Sequence, residues 1–372
     1  MSNHQDSCTA LGIGIMSGTP TILWGNPGQG KTAVLNQIAD EYGMHMETVI
    51  ASIREPSDFA GLPVVDAATG TVRLAPPNWA QRLKDSENGL VFYDEISTAP
   101  PAVQAALLRL ILDNCVGDLQ MPPGIRTVAA ANPADIAAGG WELAPPMANR
   151  FLHLTWNLTA DVVRDGFSVG WPSITLPNPE AQDVTRLVAE AKMLVGAFLG
   201  ALPELVTQMP DSSEGSNLAF PTPRSWEQAA TLYGFAMACG ANSNVVQMLL
   251  TGSVGLAATG QFITYAADLD LPDPEVLLRN PERFVVPSDR GDKVYAIAAS
   301  VYSAMANDNT PERWVACGRI LAAVANANHA DIAYTYGTRW ANNRAGLAVP
   351  HAETVEALGP ILTELGRWIQ EG

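Results

Sequence analysis

Short apolar runs alternate with stretches of helical periodicity over residues 1–157. Thr21-Ile-Leu-Trp24 is a brief apolar run ending on a Gly-rich turn, and Ala33 to Glu41 follows with the spacing of a helix. Thr48 to Ala51, Leu90 to Tyr93 and Arg126 to Ala130 read as three further strands. Strands separated by helices predict a parallel sheet covered on both faces. Residues 158–287 carry helical periodicity broken by Pro and Gly, with a polar loop at Gln208 to Pro223 and breaks at Leu271 to Pro274 and Asn280-Pro281. Residues 288–372 add two or three helices, Lys293 to Met305 and Trp314 to Ala327 being the clearest. The expected organisation is an α/β domain over 1–157, a helical domain over 158–287 and a helical extension over 288–372.

Two segments of the first domain read as β-hairpins. One is Asp58 to Leu74, with turn residues near Thr69-Gly70, and the other is Asn114 to Pro123. Trp314, Trp340 and Trp368 are expected as core residues of the extension.

Composition narrows the function. A chain of 372 residues that is 47% apolar can build large cores in two or three domains. Its 21 basic and 38 acidic residues leave a formal charge of −17. That charge disfavours broad nucleic-acid binding and anionic membrane surfaces. Cys8, Cys115, Cys239 and Cys317 are scattered, with no Cys-x-x-Cys, and the five histidines lack metal-ligand spacing. No zinc site or disulfide framework is expected, and a reducing cytoplasm fits. The segment Met1 to Asp6 has no Lys or Arg and does not read as a signal peptide. Asn244 to Tyr265 comes nearest to a membrane span, but Gln247, Thr251, Gly252, Gly255 and Gln261 interrupt it.

The strongest chemical signal is Gly25-Asn26-Pro27-Gly28-Gln29-Gly30-Lys31-Thr32, which fits G-x-x-x-x-G-K-[ST] directly between a strand and a helix. Glycines there let backbone N–H groups turn inward around phosphate oxygens. Lys31, one of only four lysines in the chain, would reach the β- and γ-phosphates, and the Thr32 hydroxyl would bind Mg²⁺. Gly25 to Thr32 together with Ala33 form the expected ATP-binding segment. The apolar run Leu90 to Tyr93 then ends in Asp94-Glu95. Asp94 would hold Mg²⁺ through water and Glu95 would polarise the attacking water. Asn132, after another apolar run, would orient that water from the opposite side. Its plain alternative is an Asn-Pro turn.

Two arginines stand out. Arg150, after a Pro-rich loop, would be a finger reaching a neighbouring subunit's γ-phosphate, or else a surface ion pair. It is expected on the sheet edge opposite its own P-loop. Arg224, in Pro221-Thr-Pro-Arg-Ser-Trp226, would bend back onto the nucleotide. A merely structural role there is unattractive, because a cation at a helix N-terminus opposes the helix dipole.

As a set these residues resemble the AAA+ superfamily, and within it the MoxR-type ATPases. Gly25 to Thr32 looks like Walker A and Leu90 to Glu95 like Walker B. Asp94 to Leu108 looks like the MoxR segment that follows it. Ala131-Asn-Pro133 looks like sensor 1, Asn149-Arg-Phe151 like the arginine-finger segment and Pro223-Arg224 like sensor 2. The resemblance spans about residues 10–270. It implies a P-loop AAA+ α/β domain with hairpin insertions that face substrate, an all-α lid carrying sensor 2, and a C-terminal helical extension. It also implies ATP and Mg²⁺, a homo-oligomeric ring, hexameric as in the resembled family, and a protein client with a von Willebrand factor A fold. The chain departs from the family at Asn149, where Asp is frequent, and at Thr222, where Ser is frequent.

Three functions compete. The first is an ATP-driven remodeller or activator of a protein partner. The second is a DNA translocase or helicase motor, which the acidic charge disfavours. The third is a nucleotide switch with little turnover, which the intact Asp94-Glu95 pair argues against.

Overall fold

The computed structural model describes residues 3–133, 141, 143–171, 174–210, 219–269, 271–288 and 290–364. By contacts the chain divides into one unit of Met1–Pro179 with Val206–Thr259, and a second of Glu180–Leu205 with Gly260–Gly372. This partition by packing cuts the chain elsewhere than the boundaries at 157 and 287 that the hydropathy pattern suggests.

The first unit is an α/β layer structure. Its strands are β1 (Thr21–Trp24), β2 (His45–Ile50), β3 (Leu62–Val65), β4 (Val72–Ala75), β5 (Asn88–Asp94), β6 (Cys115–Val116), β7 (Leu119–Gln120), β8 (Gly124–Ala131) and β9 (Leu152–Thr155). Five form a parallel sheet in the order β2-β5-β8-β1-β9. Residues 89–93 of β5 are all buried, so that strand is covered on both faces, as its unbroken apolar run requires. Strand β2 starts at His45, ahead of the expected Thr48, and Ala51 already turns into a 3₁₀ segment. Strand β9 has no counterpart among the expected elements.

The helices of this part of the chain are α1 (Asn3–Met16), α2 (Lys31–Glu41), α3 (Ser57–Ala60), α4 (Asn78–Ser86), α5 (Pro101–Asp113), α6 (Pro145–Ala148) and α7 (Ala160–Val169), of which α1, α2 and α4 pack on the sheet. The core joins Ile22, Val91, Tyr93 and Ala129 of the sheet to Val103, Leu107 and Phe151. Within it Phe59, Trp79 and Tyr93 meet at centroid distances of 6.2–6.5 Å. Helix α1 packs so closely that a Cβ on Gly14 would lie 2.5 Å from the Thr21 hydroxyl.

Both expected hairpins are present, as β3–β4 and β6–β7. Gly70 turns the first with φ +68°, and Gly61 lies at its base, followed directly by β3. The hairpins touch there. The Leu74 amide donates to Asp118 Oδ2 (2.7 Å), and the Asp118 amide donates to the Leu74 carbonyl (3.1 Å). All four residues of β3 are exposed.

Helix α8 (Ala181–Ala201) belongs to the second unit. Helices α9 (Pro223–Ala238) and α10 (Ser243–Val254) return to the first. Gly252 lets α10 rest on β9, since a Cβ there would come within 2.3 Å of the His153 carbonyl. The division falls inside α11 (Leu256–Leu269), and α12 (Pro274–Arg279), α13 (Gly291–Asn307), α14 (Pro311–Asn326), α15 (Ala330–Asn342) and α16 (Ala352–Glu364) complete the second unit. Its core centres on Trp314 and Trp340, both fully buried and stacked at 4.1 Å. Each indole N–H donates to the other residue's carbonyl, at 3.0 and 2.8 Å, so neither buried donor is left unpaired. Trp368 lies outside the described residues. Among those described, no helix is long and apolar enough to cross a membrane.

Candidate nucleotide site

The Gly-rich segment forms the turn from β1 into α2. Gly25 is fixed by proximity: a Cβ there would sit 2.1 Å from the Trp156 carbonyl, just after β9. Gly28 and Gly30 have φ of +78° and +72°, where L side chains are strained, and no atom lies within 4 Å of the Cβ position of Gly28. Gly30 is the residue before α2, whose first N–H groups have no side-chain cap. Open space over a glycine turn that runs into a helix N-terminus suits a phosphate chain. Gln29 anchors the loop from the far side. Its carbonyl accepts from Trp156 Nε1 (3.0 Å) and its side-chain Oε1 accepts from the Leu158 amide (2.8 Å).

Lys31 is buried on the first turn of α2. Its Nζ donates to the carbonyls of Gly25 (2.6 Å) and Asn26 (3.1 Å) and to Asn132 Oδ1 (3.5 Å). Burial pulls its pKa below the usual lysine value, and the Asp94 charge opposes that shift. At Asp94 the causes run the other way. Burial raises its pKa first, and the Glu95 charge adds to this, while the Glu95 amide and Lys31 hold it down. Asp94 ends β5 and Asn132 follows β8, the strand between β5 and β1, so three strand ends bring Lys31, Asp94 and Asn132 together. Glu95 adopts φ +57°, and its Oε2 accepts from the Ser52 hydroxyl at 2.7 Å. The Ser97 hydroxyl bridges the Asn132 amide (3.4 Å) and carbonyl (3.5 Å). Thr32 is half-buried beside Lys31 and Ala33 is exposed.

The residues fit Mg·ATP. Among the described residues no cluster of three or more His, Cys, Asp or Glu could cage a metal. A cation here would take Thr32 and Asp94 with phosphate and water oxygens, the sparse ligand set Mg²⁺ accepts.

The two arginines lie elsewhere. Arg150 lies two residues before β9, whose start is level with that of β1, whereas the P-loop follows the end of β1. Four strand residues, about 13 Å, separate the two ends. Strand β9 pairs directly with β1 at the edge of the sheet, so the separation from the P-loop runs along the strands. Arg150 is half-buried and donates to the Pro146 carbonyl. Burial and the nearby Arg224 charge pull its pKa down, partly offset by Asp113. Arg224 is exposed in the first turn of α9, beside Arg150 and so away from its own P-loop. Among the described residues neither arginine makes an ion pair.

Sequence reasoning missed Ser52, Ser97 and Trp156. Ser52 lies 43 residues from Glu95, and no motif marks it. Trp156 lies beyond a four-residue strand too short to show a period.

A glycine loop with a buried lysine between parallel strand and helix, facing a carboxylate pair two strands away, defines a P-loop nucleotide-binding domain. Residues 20–151 match the family model described as an AAA domain of the dynein-related subfamily. The chain thus carries an AAA+ ATPase domain. No curated protein matches it significantly. Among solved structures, a Cytophaga hutchinsonii protein named "putative ATPase" is similar at 17% identity and TM-score 0.39, covering 66% of this chain and 79% of that one.

Proposed function

We propose that this protein is a Mg²⁺-dependent ATPase of the MoxR type that works as a ring and remodels or activates a protein client. The observation that carries the ring is the placement of Arg150 and Arg224. They adjoin each other at the end of the sheet away from the P-loop, repel each other, and make no described ion pair. Arg224 also opposes the dipole of α9. These costs are offset where a polyanion meets both side chains, and the γ-phosphate held by an adjacent copy is such a group.

Within one chain, Lys31 and the loop amides bind the phosphates. Glu95 takes proton density from the attacking water, and Asn132 orients that water. Bound Mg²⁺ would neutralise charge that develops between the β- and γ-oxygens, held by Thr32 and, through water, by Asp94. The client reading rests on the resemblance of Asp94 to Leu108 to the MoxR segment, which implies a von Willebrand factor A partner. Exposed β3 supports a protein contact at the first hairpin.

The test is ATPase rate against protein concentration for wild type, Glu95→Gln and Arg150→Ala. Specific activity should rise with concentration, and both variants should fall by about 10³-fold or more while still binding ATP. Full specific activity in dilute monomer, or an active Arg150→Ala, would sink the ring.

A further inference from the structure

Polar contacts in the first unit run from the P-loop strand to the segments that carry both arginines. Trp24 ends β1, directly before Gly25, and its Nε1 donates to His153 Nδ1 at 2.9 Å. The two rings are nearly parallel, at 10°, with centroids 6.0 Å apart. His153 sits on β9 opposite Ile22, buried. An indole N–H can only donate, so Nδ1 is the acceptor and the ring proton is on Nε2. That Nε2–H donates to the Ala148 carbonyl at 2.8 Å. Ala148 ends α6, and Asn149 and Arg150 follow.

Asn149 carries the chain onward. Its Nδ2 donates to the Phe220 carbonyl (3.0 Å), and its Oδ1 accepts from the Thr222 hydroxyl (2.7 Å). Thr222 and Ser225 form a capping box on α9, whose first turn carries Arg224. The amide is the side chain this position needs. A carboxylate would set its oxygens against the Phe220 carbonyl with no proton to donate. The departure from Asp at 149 thus matches a local hydrogen-bond demand.

We infer that His153 and Asn149 are positioning residues for the arginine pair. His153 ties the turn bearing Arg150 to the P-loop strand, and Asn149 ties that turn to the cap of α9 and so to Arg224. The pair offered to a neighbouring subunit is then set from the chain's own nucleotide loop. This inference rests on the reading that the arginines act on a neighbour's nucleotide. Burial supports it by holding the His153 pKa at about 4, so the ring is neutral and its tautomer fixed at neutral pH.

The test compares His153→Phe, His153→Gln, Asn149→Asp, Arg150→Ala and Glu95→Gln in the full chain. Turnover, KM and the dissociation constant for Mg·ATP are measured for each, and each of the first four is also mixed with Glu95→Gln chains. His153→Phe keeps a ring and deletes both polar atoms. It should lower kcat about tenfold or more and leave nucleotide affinity within about twofold. His153→Gln supplies an acceptor and a donor and should restore most of the rate. Asn149→Asp, outside the sheet, should repeat the pattern of His153→Phe. In mixtures, His153→Phe and Arg150→Ala chains should both regain turnover, because Glu95→Gln chains supply intact arginines. If Arg150→Ala gains nothing on mixing, the trans reading falls. If Arg150→Ala gains and the His153→Phe and Asn149→Asp chains do not, the positioning inference alone falls. Wild-type kcat in both variants, or nucleotide affinity lost in step with kcat, overturns it as well.

Discussion

Lys31 shows burial and function pulling against each other. Its ammonium is removed from water, which lowers its pKa, while the Asp94 charge opposes that shift and two loop carbonyls and Asn132 accept its N–H groups. Among the described residues the Glu95 carboxylate is held by one neutral hydroxyl, that of Ser52. His153 is the mirror case, a base kept neutral by full burial with its pKa pushed to about 4. Its protonation is linked to stability with a definite sign. The folded state refuses a proton that the unfolded chain accepts near pH 6.5, so stability is constant above that pH and declines as pH falls toward 4. Between pH 7.5 and 5.5 this group should cost on the order of 1 kcal/mol. Urea unfolding of wild type against His153→Gln checks this: the wild type should show the extra slope, and parallel curves would refute it.

Among the elements, those with a clear period or motif were legible in the sequence: β1, β5, β8, α2, α13, α14 and both hairpins. Helix α1 was not, because it is buried on nearly every side and so presents no polar stripe against an apolar one. Strand β9 was not, because Leu-His-Leu-Thr is too short to alternate and its His reads as polar. The docking of one hairpin on the other could not be read either, since it depends on two glycines far apart in sequence. Gly61 and Gly117 meet at their backbones, and a Cβ on Gly117 would lie 2.7 Å from the Leu74 carbonyl with φ already at +59°. Gly117→Ala should cost about 1–3 kcal/mol locally. Amide exchange should quicken at Leu74 and Asp118, with β5 and β8 unchanged. Unaltered exchange at those two amides would mean that the hairpins are not held through this contact.

For the whole molecule, charge and partition matter most. A formal charge of −17 makes the compact chain self-repelling, and cations that accompany nucleotide relieve this. Binding to the folded state alone adds about 2.7 kcal/mol at a hundredfold excess over the dissociation constant. Mg·ATP should therefore raise the melting temperature by about 3–5 °C. Lys31→Ala should abolish the shift, and an equal shift in that variant would place the nucleotide elsewhere. The partition was not legible from hydropathy. The pattern reports which residues are apolar, whereas grouping depends on which faces meet, and α8 joins the later helices while α9 and α10 join the sheet.

By itself the sequence determined the chemistry of the P-loop and the strand-end carboxylates. Each is a contiguous run whose spacing is dictated by local backbone geometry, the turn of a glycine loop or the end of an apolar strand. Only the tertiary structure decided where Arg150 and Arg224 stand, that Ser52 meets Glu95, and that His153 joins Trp24 to Ala148. Apart from the local His153–Ala148 bond, those contacts join residues tens to more than a hundred positions apart, and their geometry exists only once the parallel sheet has set its strand order and register.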